Sequence, residues 1–349
     1  MSGGSRHRAA DSRDEYILPL RWADDSALAE LVQYLEVLAG WIHVTVVDGS
    51  GAELFATHRA QFPPSVRHMR PDPGTGNGKV TAVLTAVRSS GAERLVIADD
   101  DVRYTRESLA AVVHHLDHAD LVRPQNYFDV LPWHACWDTS RTLINRALSA
   151  DFPGTFAVRR AALLATEGYS PVLFENLEMI RTVRAAGGSE KVVPDLFVAR
   201  RPPSSRHFFR QRLRQAYDDF AQPARLAAEL ALLPAFACLA GLPRQRRAPT
   251  VLGLAVAAMA LAEIGRRRHH GRKVFPARTA WFAPLWVMER AVCVWLALAF
   301  RLSGGVPYSG TRLMTAAHST GELRRRHQGK MSRNPLDQPR ERHEAGTGR

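Results

Sequence analysis

The stretch Leu95-Val96-Ile97-Ala98-Asp99-Asp100-Asp101-Val102 decides how this chain is read: a short apolar run that stops abruptly at three carboxylates. Apolar runs of this length, bounded by charge, mark strands buried in a parallel sheet. Open α/β sheets bind ligands at the carboxyl ends of such strands, where these Asp residues fall. Adjacent carboxylates repel one another, and a hard divalent cation relieves that repulsion. The triplet therefore points to Mg²⁺ or Mn²⁺ held together with substrate phosphates. A solvated Asp cluster capping the helix that starts near Thr105 accounts for the same residues with no ligand at all. If strand alternation continues through the triplet, Asp99 and Asp101 face one pocket and Asp100 points away.

Upstream, Tyr16-Ile17-Leu18-Pro19-Leu20 reads as a first strand. Leu28, Leu31, Val32, Leu35 and Leu38 then recur at helical spacing within 25–39. The β-branched run from Trp41 to Val47 breaks at Asp48-Gly49-Ser50-Gly51. Strand, helix, strand and a sharp acidic turn open a nucleotide-binding α/β unit, with Asp48 at a strand's carboxyl end. An Asx turn is the plain alternative for Asp48. The loop Pro71-Asp72-Pro73-Gly74-Thr75-Gly76-Asn77-Gly78 leads into Lys79 and a helix from Val80. Backbone N–H groups at a helix start, next to an ammonium, suit phosphate, although the spacing is not that of a P-loop.

Downstream come a helix over 108–115, a strand over 119–124, an aromatic cluster from Trp133 to Asp138 with a helix to about Ala150, and a short strand near Phe156. A helix opening at Phe174-Glu175-Asn176-Leu177-Glu178 follows, its carboxylates in the first turn where the helix dipole favours them. Asp195 to Arg200 reads as the last strand, and 204–220, rich in Arg and aromatics, suits a membrane surface. Three apolar segments, Leu226–Leu242, Val251–Ile264 and Trp281–Phe300, have basic connections. Only the last reaches the ~20 residues of a spanning helix, and it carries Glu289 and Arg290. The other two suit a hairpin, a re-entrant pair or interfacial helices. After Gly321 the chain is polar and basic, as in disordered tails.

The net charge is +13, yet only four residues are Lys, and the Arg clusters at 244–247 and 266–273 flank apolar segments. That placement favours an anionic membrane surface and argues against a nucleic-acid partner. Cys136, Cys238 and Cys293 are too few and scattered for a disulfide framework, which points to a reducing compartment. Residues 1–15 are polar, without the apolar core of a signal peptide. The expected location is the cell membrane, with the catalytic domain facing the cytoplasm.

In order and spacing, Val46-Val47-Asp48-Gly49-Ser50, Asn77-Gly78-Lys79, Asp99-Asp100-Asp101, Phe174-Glu175-Asn176-Leu177-Glu178 and Gln211-Arg212-Leu213-Arg214-Gln215 resemble a family 2 glycosyltransferase. The resemblance extends to lipid-directed members such as ceramide glucosyltransferases. It implies an α/β fold of the GT-A type (Rossmann-like) over 16–222. Around it would lie a disordered stretch over 1–15, membrane-associated helices over 223–302, and a largely disordered basic tail over 303–349.

The resemblance also implies roles. Asp48 would contact the nucleotide's base and Lys79 would lie near the nucleotide. Asp99 would reach the ribose or metal, and Asp101 would ligate the cation. Gln211, Arg212 and Arg214 would bind the diphosphate or acceptor, although Gln215 stands where the family has Trp. Glu175 would be the general base with Glu178 in reserve, because Asn176 occupies the second position of the family's acidic pair and cannot take a proton. The reaction implied is inverting transfer from a nucleotide-sugar donor to a lipid-linked or polysaccharide acceptor. A nucleotidyltransferase on a related sheet and a catalytically inactive membrane scaffold are the rival readings.

Overall fold

The computed structural model describes residues 13–308 and 311–331. Its elements run β1 (Asp14–Leu20), α1 (Leu28–Ala39), β2 (His43–Asp48), α2 (Ala52–Gln61), β3 (Val66–Met69), α3 (Gly78–Ser89), β4 (Arg94–Ala98), β5 (Val102–Arg103) and α4 (Arg106–His114). They continue with β6 (Leu121–Phe128), α5 (Trp133–Leu148), β7 (Thr155–Arg159), α6 (Arg160–Leu164), α7 (Glu175–Ala185), β8 (Glu190–Arg200) and α8 (Ser205–Tyr217). The C-terminal third holds α9 (Pro223–Leu230), α10 (Leu232–Ala240), α11 (Arg244–Arg267), α12 (Ala283–Leu302), β9 (Val306–Tyr308), β10 (Thr311–Leu313) and α13 (Thr320–Met331).

Eight strands form one sheet in the order β3-β2-β1-β4-β7-β6-β8-β5. The first four are mutually parallel, β7 is antiparallel to both β4 and β6, and β8 runs parallel to β6. β1 lies between β2 and β4, so the chain winds outward in both directions from it. Such a reversal leaves a crevice beyond the carboxyl ends of the strands. Apolar side chains cover both faces. Leu31, Leu35 and Leu38 of α1 pack with Val44 and Val96 on one side, and Val83 and Val87 of α3 with Ile17 and Leu95 on the other. Strands buried on both faces need continuous apolar runs, which is why 95–98 contains no polar residue. An α/β sheet domain followed by apolar helices, as expected, is observed.

Several expectations are corrected. β1 begins at Asp14, so the N-terminal boundary at residue 15 falls inside a strand. α2 and β3 escape a periodicity reading, because α2 places only His58 in the interior. α8 is not a surface-only helix: it buries Phe208, Arg212 and Ala216 against the domain and leaves Phe209 exposed. The tail does not begin at 303. The β9–β10 hairpin and α13 return to the domain, where Leu173 and Phe174 N–H groups donate to Thr315 and Ala316 at 3.2 and 2.8 Å. The expected disorder of 332–349 and 1–12 lies outside the described residues.

Three helical segments are long and apolar enough to cross a membrane: Pro223–Ala240, Arg244–Lys273 and Ala277–Leu302. Their burial differs. α12 packs on α5, α8 and α9, whereas Val251, Leu252, Leu254 and Val256 of α11 are exposed. The far end of α11 docks through Gly265, where a Cβ would lie 1.8 Å from the Leu143 carbonyl oxygen.

Candidate active site

Two adjoining cavities of about 920 and 760 Å³ open at the carboxyl ends of β1, β2 and β4 and share Arg21, Lys79, Asp99, Asp100, Gln211 and Arg214. β4 ends at Ala98, so the Asp triplet is a turn, closed by the Val102 N–H donating to the Asp99 carbonyl at 3.1 Å. Strand alternation therefore does not govern it. All three Asp residues line the second cavity, and Asp100 accepts a hydrogen bond from the Trp22 indole. The expectation that Asp100 points away is thus overturned.

Lys79 is the centre of the site. Its Nζ lies 2.6 Å from Asp99 Oδ1, 2.8 Å from Glu175 Oε1 and 3.3 Å from Asn176 Oδ1. Asn77 places it: this buried residue caps α3 by accepting from the Lys79 N–H at 3.0 Å. It also donates to the Val172 carbonyl at 2.9 Å and accepts from the Tyr308 hydroxyl at 3.1 Å. One Asn side chain thereby ties the starts of α3 and α7 to the C-terminal hairpin. Burial disfavours the ammonium, but Asp99 and Glu175 outweigh it and raise the Lys79 pKa well above its ordinary value.

Arg200, at the end of β8, grips Asp101 with Nε at 3.0 Å and Nη2 at 2.7 Å, and its Nη2 lies 3.5 Å from Asp99. Burial lifts the Asp101 carboxyl to about 6; Arg200 opposes this, and neighbouring Asp99 and Asp100 reinforce it. Asp99 goes the other way: burial resists its charge, but Lys79 and Arg200 together hold its pKa below the usual value. The two carboxylates thus compete for one guanidinium, and Asp99 has Lys79 in addition. Gly154 makes this crowding possible, since a Cβ there would sit 2.5 Å from Asp99 Oδ2 and 2.9 Å from Arg200 Cζ.

The structure gathers Lys79, Asp99, Asp101, Glu175, Gln211 and Arg214 in one cavity and places three other expected residues elsewhere. Asp48 lies beneath the floor, fully buried. It accepts from the Ser50 N–H at 2.8 Å and contacts His58 Nδ1 at 2.6 Å and His68 Nε2 at 3.1 Å. Burial alone would raise its pKa, but His68, Ser50 and His58 hold it well below the usual range. Glu178 is buried one helical turn from Glu175, accepting from the His318 N–H at 2.8 Å and contacting His318 Nδ1 at 2.7 Å. Arg212 faces away from the cavity: it donates to Asp138 at 3.0 Å and covers the Phe208 ring. Adjacent helix positions do not share a face, so Arg212 and Gln211 part while Gln211 and Arg214 align.

Sequence reasoning missed Arg200, Tyr308, Trp22 and Gly154. Arg200 had a signal, as a cation at the carboxyl end of a predicted strand. Tyr308 had none, because only the return of the C-terminal hairpin brings it in.

No protein-family model and no curated protein matches the sequence. Among solved structures, a mannosyltransferase from Pyrobaculum calidifontis, in complex with GDP-Man and Mn²⁺, is 20% identical. The match covers 81% of this chain and 87% of that one, with a TM-score of 0.48. A glucosyl-3-phosphoglycerate synthase from Mycobacterium tuberculosis, with Mn²⁺, UDP and phosphoglyceric acid, is 15% identical over 56% of this chain and 73% of that one, with a TM-score of 0.40. A mannosyl-3-phosphoglycerate synthase from Rubrobacter xylanophilus is 15% identical over 58% and 70%, with a TM-score of 0.38.

Proposed function

We propose that this chain is a membrane-associated, inverting glycosyltransferase of family 2, moving a sugar from a nucleotide-diphosphate sugar to an acceptor hydroxyl. One observation carries the reading: Lys79 stands between Asp99 at 2.6 Å and Glu175 at 2.8 Å. A phosphate-binding cation, a metal-type carboxylate and a candidate base thereby share one cavity.

The donor set fits a hard cation. Asp99, Asp100 and Asp101 offer only oxygen atoms along one wall, and the repulsion from Asp99 and Asp100 that adds to the effect of burial on Asp101 is what a cation relieves. Asp99 and Asp101 would hold Mg²⁺ or Mn²⁺, which when bound neutralises the departing diphosphate. Lys79 and Arg214 add fixed positive charge beside it, in a site where preorganised charge is worth most. Glu175 Oε takes the acceptor's hydroxyl proton as the acceptor oxygen bonds to the sugar's anomeric carbon. The bond from that carbon to the diphosphate breaks, and nucleoside diphosphate leaves. A single displacement inverts the anomeric centre. Asn176 serves a different purpose from the acid it replaces: its side chain accepts from Lys79 and donates to the Pro153 carbonyl at 3.0 Å.

Membrane attachment through α9–α12 is part of the proposal. Before this block, α8 packs on α12; after it, α13 packs on α7. A chain whose two flanks return to one body crosses a bilayer an even number of times, none or twice. The packed α12 suits an interfacial position and the exposed α10–α11 pair suits insertion, with the domain and α13 on the cytoplasmic side. A lipid-linked or polysaccharide acceptor follows from that placement.

Purified protein screened against nucleotide sugars with Mn²⁺ tests the reading. Release of nucleoside diphosphate supports it, pyrophosphate would mark a nucleotidyltransferase, and no release with any donor would leave a scaffold.

A further inference from the structure

The second cavity continues past the Asp triplet into a recess between α5, α8 and α12. Asp138 and Arg141 of α5 line it, with Gln215 of α8, Asp218 just beyond, and Arg290 of α12. The guanidiniums there are largely taken. Arg141 lies 3.2 Å from both Asp138 and Asp151, and Arg290 lies 3.2 Å from Asp219. Left over are two acceptors, Gln215 Oε1 and Asp218 Oδ1, and two donors of Arg290, Nε and Nη2. All four atoms are buried and without a hydrogen-bond partner among the described residues, and Nε is only 3.9 Å from Glu229. Buried polar groups are as a rule satisfied, and an orphan is costly, so orphans gathered at one cavity wall are best explained by a ligand that completes them.

We propose that this recess is the acceptor subsite and takes a neutral, polyhydroxylated head group, a glycoside, whose hydroxyls bond Gln215 Oε1, Asp218 Oδ1 and Arg290 Nη2. The inference rests on the glycosyltransferase reading. A sugar hydroxyl both donates and accepts, which matches a wall offering both kinds of atom. A phosphate head group matches poorly, because its oxygens mainly accept and would leave the acceptors Gln215 Oε1 and Asp218 Oδ1 unmet. Burial also holds the Asp218 carboxyl well above the usual range, against the pull of Arg214. A protonated carboxyl there donates as well as accepts. The recess opens toward Glu175 within the same cavity, so a bound glycoside presents a hydroxyl to the base. Its aglycone would run along α9 and α12. Gln215 also accounts for the one position of the Gln211–Gln215 stretch that departs from the family pattern: here that position offers an amide oxygen.

Binding of n-octyl glucoside, galactoside and mannoside below micelle formation, and of farnesyl phosphate, is measured by calorimetry on the full chain in nanodiscs. At least one glycoside is expected to bind, with affinity falling about tenfold in Gln215→Leu and in Asp218→Leu, the loss of about one good hydrogen bond. Thermal unfolding checks that each variant folds, and Asp218→Leu, close in size, stands in if Gln215→Leu does not. Binding of farnesyl phosphate alone, of no probe, or of a glycoside with unchanged affinity in the folded variants overturns the assignment. Mn²⁺-dependent binding of nucleotide sugars is read separately. Its absence would remove the glycosyltransferase reading, and glycoside binding would still report on the recess.

Discussion

Gly154→Ala tests the site's geometry with a single methyl group. Gly154 is held on both sides, its N–H donating to Asn126 Oδ1 at 2.7 Å and its carbonyl accepting from the Asp99 N–H at 2.8 Å. Its backbone lies outside the left-handed region, so alanine is tolerated there and the effect is one of contact alone. The new Cβ would lie 2.5 Å from Asp99 Oδ2, where ordinary contact begins at 3.4 Å, so the carboxylate must retreat by about 0.9 Å. Arg200 Cζ, at 2.9 Å, blocks part of the retreat. Displacements of about 1 Å at a reacting centre cost up to about 10²-fold in rate, and overpacking costs about 1–3 kcal/mol of stability. We expect Mn²⁺ affinity, read by paramagnetic resonance, to fall about tenfold, and nucleoside diphosphate release to fall about 10- to 100-fold. Gly51→Ala is the control, since no atom lies within 4 Å of its Cβ. A Gly154→Ala protein with unaltered Mn²⁺ affinity and turnover would refute the placement of Asp99 in the metal site.

Glu175→Gln should lower turnover by about 10²-fold or more with donor affinity little changed, whereas Glu178→Gln should loosen α13 and leave turnover largely intact; the reverse pattern in steady-state rates would move the base to Glu178. Arg212→Met leaves Asp138 buried with one fewer partner, so chemical denaturation should show a loss of about 3–5 kcal/mol while donor KM stays near normal. For Asp138, burial raises the pKa, but Arg212 and Arg141 outweigh it and depress the folded value well below the ordinary one. Its contribution to stability is therefore complete above about pH 4 and lost as the pH falls toward strong acid, so acid unfolding curves of Arg212→Met should be shallower than wild type below that pH. Chelation should abolish nucleotide-sugar binding, restored by added Mn²⁺ and monitored by calorimetry; binding that survives chelation would exclude Asp99 and Asp101 as cation ligands.

The local signals in the sequence were strong where chemistry and chain direction coincide. A continuous apolar run ending at Asp99 read as a strand buried on both faces, and that placed the Asp triplet at the carboxyl end, where α/β sheets bind ligands. Glu175 opening α7 was legible in the same way, since the helix dipole favours carboxylates in a first turn. Direction within a motif was not legible. Asp48, Arg212 and Glu178 belong to motifs that do reach the cavity, yet two histidines, Asp138 and His318 claim them, and those partners lie 10 to 140 residues away in sequence. The turn geometry that brings Asp100 to the cavity, the closeness that Gly154 allows, and the return of Tyr308 from the C-terminal hairpin are likewise products of packing. Periodicity reports which face of an element is apolar. It carries no information on which distant side chain satisfies a buried charge, and here that pairing alone separates residues that line the cavity from residues that hold the fold.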